Sequence, residues 1–245
     1  MNRIIIPTIT KRGFVEKAKP ATNLIVGSTV GLVKSINEDS IGCLLNDNYI
    51  RVCVADGHWG KKAAEIIVDH WMKEGLIFPT NNKEAISEVI KIEKKLFKLF
   101  GKTNMDPNSD FTPEASFIAT QLVGKTLIVV SYGDCRLLTA NKGKIKTKLA
   151  TKETWLGAFS QLGSRNRISV DNGLVFEKVI LQENDTVLIF SDGIDQCVYE
   201  RNTLSDEFLA NLTNKETVEN TLNSIFSAVF TAGAEDNASL VVLKN

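Results

Sequence analysis

Five short stretches of the chain place carboxylates at the ends of apolar runs or in glycine turns, where a scaffold usually presents its chemistry. They are Asn37-Glu38-Asp39, Asp56-Gly57-His58, Gly133-Asp134, Ser191-Asp192-Gly193 and Glu235-Asp236-Asn237. Taken singly, each has an ordinary reading. For Asp56 it is a cap on the helix pattern that starts near Lys61, and for Asp39 and Asp134 an ordinary loop acid. Taken together, with almost no basic residue beside them, they call for one explanation. An acid at the end of a buried strand costs stability unless it is solvated, paired or bound to a cation. Hard divalent cations, Mg²⁺ or Mn²⁺, prefer carboxylate, carbonyl and water oxygens and would account for all five stretches. Zinc fits poorly, because the chain has only 2 histidines and its 4 cysteines show no C-x-x-C spacing. His58 stands two positions after Asp56 and is an acid–base candidate, while His70 lies within a helical pattern and reads as structural.

The surrounding patterns supply the elements that must hold these residues. Val52-Cys53-Val54-Ala55 reads as a buried strand that stops where Asp56, Gly57 and His58 arrive. Strands are expected at 24–29, 41–45 and 49–55, with Asn46-Asp47-Asn48 as a hairpin turn. Two amphipathic helices follow. One carries Ala63, Ala64, Ile67, Val68 and Trp71 on its inner face, and the other Ile86, Val89, Ile90, Leu96, Phe97 and Phe100. Further strands are expected at 115–123, 126–131, 136–140, 174–181, 186–190 and 239–243, and helices at 204–212 and 218–230. Gly27-Ser28-Thr29 reads as a strand-to-loop turn, and 101–113 as a turn-rich connector. Residues 1–20, basic and broken by Pro7, Gly13 and Pro20, read as an arm or an edge strand. Helical blocks around many short antiparallel strands indicate an α+β fold in one domain spanning 1–245.

Composition narrows the function classes. The chain has 245 residues, 43% hydrophobic and 24% charged, which is ordinary for a globular protein with a full core. With 29 basic against 29 acidic residues, bulk charge points to neither a nucleic-acid nor a membrane partner. No run nears the roughly 18 apolar residues of a membrane span. Free cysteines in apolar stretches suit a reducing compartment, so a cytoplasmic monomer is expected.

The ordered series Gly31-Leu32-Val33-Lys34-Ser35-Ile36-Asn37-Glu38-Asp39-Ser40, Val54-Ala55-Asp56-Gly57-His58, Ser131-Tyr132-Gly133-Asp134-Cys135-Arg136, Phe190-Ser191-Asp192-Gly193 and Glu235-Asp236-Asn237-Ala238-Ser239 resembles the metal-dependent type 2C serine/threonine protein phosphatases in a compact, bacterial-like form. The resemblance implies a central sandwich of two antiparallel sheets flanked by helices, with two Mg²⁺ or Mn²⁺ ions at one end. Asp56 would bridge the two ions. The Gly57 carbonyl and Glu38 would serve one of them, with Asp39 holding its water, and Asp192 and Asp236 would ligate the other. Asp134 with Asp192 could form a weaker third cation site, and Asn237 would support the ligands. The implied reaction is hydrolysis of phosphoserine or phosphothreonine in a phosphorylated protein, by a water activated between two metals, with His58 protonating the departing oxygen.

Four features depart from that family's pattern. Lys34 stands where a phosphate-gripping arginine is usual, and lysine is a point charge without a bidentate fork. Trp59 replaces a small residue beside the site, and Glu114-Ala115-Ser116 replaces the usual opening of a strand, a change that reads as structurally tolerable. The helical flap expected between Lys144 and Asp185 is reduced to 151–169, which includes Trp155, Arg165 and Arg167. These departures keep two other readings open: a weakly catalytic pseudophosphatase acting as a regulatory binding module, and a phosphatase for small phosphorylated molecules.

Overall fold

The structure, a computed structural model, describes residues 2–6, 12–100, 113–149, 154, 156–157, 170–198, 201 and 203–245. The chain begins with five strands: β1 (Asn2–Ile6), β2 (Glu16–Ala21), β3 (Leu24–Thr29), β4 (Ser40–Leu45) and β5 (Ile50–His58). Two helices follow, α1 (Lys62–Trp71) and α2 (Asn82–Phe100). Then come β6 (Glu114–Val123), β7 (Thr126–Tyr132), β8 (Arg136–Asn141), β9 (Lys144–Leu149), the two-residue β10 (Leu156–Gly157) and a single turn α3 (Val170–Gly173). The chain closes with β11 (Leu174–Ile180), β12 (Thr186–Phe190), α4 (Asp206–Leu212), α5 (Val218–Ala232) and β13 (Ala238–Lys244).

The strands form two antiparallel sheets, ordered β1-β4-β5-β6-β7-β11, with β10 added beside β6, and β2-β3-β13-β12-β8-β9. Period-2 alternation explains how each sheet is covered on both sides. On β5, Cys53 and Ala55 face Ala63, Ala64, Ile67, Val68 and Trp71 of α1. Val52 and Val54 face the other way, into a layer shared with Leu24 and Val26, Val187 and Ile189, and Val241 and Leu243 of the second sheet. The outer face of that second sheet packs on Leu209 of α4 and on Leu222, Ile225, Phe226 and Val229 of α5. The result is four layers, helix–sheet–sheet–helix, as expected from the sequence.

Local signals fix the ends of these elements. The Ser205 and Thr217 hydroxyls accept from the Phe208 and Asn220 N–H groups and cap α4 and α5. Asn46 Oδ1 accepts from the N–H groups of Asn48 and Tyr49, both at 2.9 Å, and closes the β4–β5 hairpin. His70 joins α1 to α2 through Glu88 Oε2 at 3.1 Å, the structural part read for it.

Several boundaries differ from the sequence reading. β5 does not stop before Asp56; it runs through His58, because β6 extends to Glu114 and gives Asp56, Gly57 and His58 backbone partners. Gly27-Ser28-Thr29 is not a turn but lies inside β3. β9 (KIKTKL) was not anticipated, since its lysines mask an edge strand whose outer side faces water. β1 and β2 each form the edge of a different sheet. Phe97 is exposed, with Ile92 taking its place on the buried face of α2. The connector expected at 101–113 falls, apart from Pro113, outside the described residues. So do Trp155, Arg165, Arg167 and most of 151–169.

Candidate active site

The site grows out of the layer between the sheets. Ile41 and Cys43, Val52 and Val54, Ile118 and Leu122, Leu24 and Val26, Val187 and Ile189, and Val241 and Leu243 all belong to that apolar layer. Two residues beyond each pair, toward one end of the sandwich, the alternation reaches Asp39, Asp56, Ser116, Ser28, Ser191 and Ser239. The layer thus changes from hydrocarbon to hydroxyl to carboxylate. The hydroxyls are buried and joined. Ser28 and Ser239 lie 2.9 Å apart, Asn37 Nδ2 donates to Ser28 at 2.8 Å, and the Ser239 N–H donates to Ser191 Oγ at 2.9 Å. Ser191 Oγ in turn donates to Asp39 Oδ2 at 2.7 Å.

Above this floor the predicted acids meet. Asp56 lies in the field of Asp39, Asp192 and Asp134. Asp192 also feels Asp134 and Asp236, and Asp39 feels Asp192 and Asp236. Burial and like charge act in the same direction. Burial first, then the neighbouring acids, push Asp56 well above the usual carboxylate range. Asp39 is pushed up to about 7 by burial, against the pull of its serine hydrogen bonds. Asp192 is pushed up to about 6, again mainly by burial and then by Asp134. Lys34 stands at the rim with Nζ 3.2 Å from Asp236 Oδ1. Burial alone would lower its pKa; Asp236, Glu38 and Asp56 outweigh that and hold it above the usual lysine value.

The backbone around the acids is pinned. Asn237 Nδ2 donates to the carbonyls of Val30 (3.2 Å) and Ile36 (3.0 Å), and its Oδ1 accepts from the Glu38 N–H at 2.8 Å. One side chain therefore ties the loop carrying Lys34 and Glu38 to the strand start beside Asp236. The Gly60 N–H donates to Glu38 Oε1. At Gly57 a Cβ would collide with the Glu38 carbonyl, so glycine there lets the two motifs touch. Asp56 is no helix cap: the α1 N-cap residue is Lys61, and no side chain caps it.

His58 follows Asp56 on the same face of β5. Its Nδ1 is 3.3 Å from Oε1 of Glu114, the residue directly opposite on β6. The Trp59 ring packs beside it with centroids 4.9 Å apart, and Trp59 holds φ at 63°, a conformation uncommon for a bulky residue. Glu114 is a neighbour that the sequence reading singled out only as a structurally tolerable departure, not as part of the site. Its one visible signal was its place at the start of a strand, where the resemblance led to a small residue.

The donor set fits hard divalent cations: every charged donor is a carboxylate, and Asp39 Oδ1 is buried without a hydrogen-bond partner. Among the described residues no three His, Cys, Asp or Glu side chains close around a single point.

No protein-family model and no curated protein sequence matches the chain. Solved structures do. A bacterial serine phosphatase superimposes with a TM-score of 0.72 at 16% identity, over 91% of this chain and 98% of the other. The serine/threonine phosphatase Stp1 from Staphylococcus aureus gives 0.72 at 16%, over 92% and 95%. The catalytic domain of the serine threonine protein phosphatase PstP, in complex with two manganese ions, gives 0.66 at 17%, over 94% and 97%. At these identities the likeness establishes the fold: the chain has the two-sheet, helix-flanked architecture of these phosphatases along nearly its whole length.

Proposed function

We propose that the chain is a metal-dependent phosphatase acting on phosphoserine or phosphothreonine in proteins. One observation carries the reading. Acids from five separate stretches gather at one end of the sandwich, buried enough to raise the pKa values of Asp39, Asp56 and Asp192, on a fold otherwise seen in serine/threonine phosphatases. Such a cluster is poorly tolerated by itself and well suited to Mg²⁺ or Mn²⁺. Asp56, the Gly57 carbonyl and Glu38 would hold one cation, and Asp56, Asp192 and Asp236 a second, with Asp134 and Asp192 available to a weaker third. When bound, such cations activate water and neutralise phosphoryl oxygens.

The chain's own groups do the rest. Lys34, held protonated at the rim, attracts the phosphate dianion and offsets charge on its oxygens. Its tie to Asp236 keeps it beside the cluster. Asp39, fixed by Ser191, is placed to orient water. His58 lies about 7 Å along β5 from Asp56, two strand residues, which leaves room for a phosphoryl group between them. From there the imidazolium form donates a proton to the departing serine or threonine oxygen, leaving the neutral ring.

The test is phosphate release from p-nitrophenyl phosphate and from phosphoserine and phosphothreonine peptides, with Mn²⁺ and with chelator, for the wild type and Asp192→Asn. Turnover that needs metal and falls at least about 100-fold in the variant is expected. No metal-dependent turnover above the variant would overturn the reading. Turnover of the aryl phosphate but of no peptide would leave a small-molecule phosphatase.

A further inference from the structure

Glu114 sits in a slot built for it. It opens β6 at the end of the sheet, is 5% exposed, and stands directly opposite His58 in the β5–β6 register. On its other side it pairs with Gly157 of β10. A Cβ on Gly157 would lie 3.0 Å from the Glu114 Cβ, a tight contact, and 3.4 Å from its Oε2, so a larger residue there would crowd the Glu114 side chain at its base. The space that Gly157 leaves open is what the Glu114 side chain uses. The side chain lies toward His58, with Oε1 3.3 Å from Nδ1.

We propose that Glu114 is a positioning residue for His58. Resting on the reading of His58 as the proton donor, it accepts the Nδ1–H bond and so turns Nε2 toward the acid cluster. An imidazole is free to rotate about χ2 between two orientations related by a ring flip, and the flipped one would point a carbon where the nitrogen is needed. A carboxyl anchored between two strands removes that freedom. It also selects the tautomer, because an acceptor at Nδ1 requires the hydrogen there. Trp59, packed at 4.9 Å, limits the ring from the other side. The donating form is the imidazolium: its Nδ1–H stays on Glu114 while its Nε2–H passes to the departing oxygen, and the neutral ring left behind keeps its hydrogen on Nδ1. The positioning follows from cross-strand register, from the glycine slot, and from the length of a glutamate side chain.

The experiment compares wild type, Glu114→Gln, Glu114→Ala and Gly157→Ala, each as the full chain with Mn²⁺. Two substrates differ in their need for a proton donor: a phosphoserine peptide, whose alkoxide leaves poorly, and p-nitrophenyl phosphate, whose phenolate leaves easily. Glu114→Ala is expected to lower kcat on the peptide by about 10- to 100-fold with KM little changed, and to lower aryl phosphate turnover at least ten times less. Glu114→Gln, which keeps an acceptor oxygen at the same length, recovers most of the loss. Gly157→Ala, which crowds the Glu114 side chain at its Cβ and so shifts a carboxyl that is still present, gives the same selective loss and guards against a Glu114→Ala protein that fails to fold. Independently of turnover, ¹⁵N spectra of the two histidines with Mg²⁺ bound report the tautomer. His58 should carry its hydrogen on Nδ1 in the wild type and lose that preference in Glu114→Ala. Equal losses on both substrates, an unchanged peptide kcat, or an unchanged His58 tautomer would overturn the proposal. A wild type inactive on both substrates would instead sink the phosphatase reading, and the tautomer alone would then decide whether Glu114 positions His58.

Discussion

Asp56 and Asp192 are buried among other acids, which pushes both carboxyls above the usual range. A cation binding to them competes with the protons they then hold. Calorimetric titration with Mn²⁺ near pH 6 in buffers of different ionisation enthalpy should therefore show net proton release, whereas heats independent of the buffer would contradict the raised proton affinity. Asn237 has a different part at the same scale. It holds the Val30 and Ile36 carbonyls and the Glu38 N–H. Supports of this kind change metal affinity by about 10- to 100-fold when removed. Asn237→Ala should weaken Mn²⁺ binding by that factor while the protein stays folded by circular dichroism; an unchanged affinity would show that the loop holds itself. The acids themselves were legible in the sequence because each interrupts an apolar run with a short polar group. Glu114 was not, because its partner lies 56 residues away and only the strand register brings the two together.

At the scale of elements, α1 must be held against β5 for Asp56 and His58 to keep their places. Arg51, 1% exposed, does this from the far end of the same strand. Its guanidinium donates to the Trp71 carbonyl at 3.0 Å, to the Leu76 carbonyl at 2.9 Å, and to Gln121 Oε1 at 2.7 and 3.0 Å. It ties the end of α1 and the following loop to β5 and β6. Arg51→Ala would leave those buried acceptors unpaired and open a cavity, so a loss of about 3–5 kcal/mol is expected in urea unfolding. A loss under about 1 kcal/mol would mean that water replaces the guanidinium. Element types were readable from periodicity: the α1 stripe from Ala63 to Trp71 is the buried face found. Boundaries were less so. The end of β5 depends on how far β6 reaches, and β9 hides behind alternating lysines. Such features are decided by a neighbouring strand and leave no local mark.

At the scale of the whole molecule, the acid cluster works against the fold that holds it. Asp39 at about 7 and Asp192 at about 6 bind protons more tightly folded than unfolded. With raised folded pKa values, their contribution is most favourable below about pH 4 and is lost as pH rises to about 7, at up to roughly 1.4 kcal/mol per pH unit for each fully titrating group. Without metal, thermal unfolding should therefore move to lower temperature between pH 5 and 7, and saturating Mn²⁺ should stabilise most at the upper end. A metal-free protein equally stable at both pH values would contradict the account. Strands and helices alone gave an α+β domain and the resemblance implied the two-sheet sandwich, but the site's burial was not legible, because it arises where six strands end together.

The most direct test of the central claim is the stoichiometry of Mn²⁺ binding by calorimetry at pH 7.5, for wild type, Glu38→Gln and Asp56→Asn. If the cluster is a two-cation centre sharing Asp56, the wild type should bind two Mn²⁺ per chain, Glu38→Gln should retain one, and Asp56→Asn should lose measurable binding of both. Binding that is unaltered in Asp56→Asn would contradict the claim.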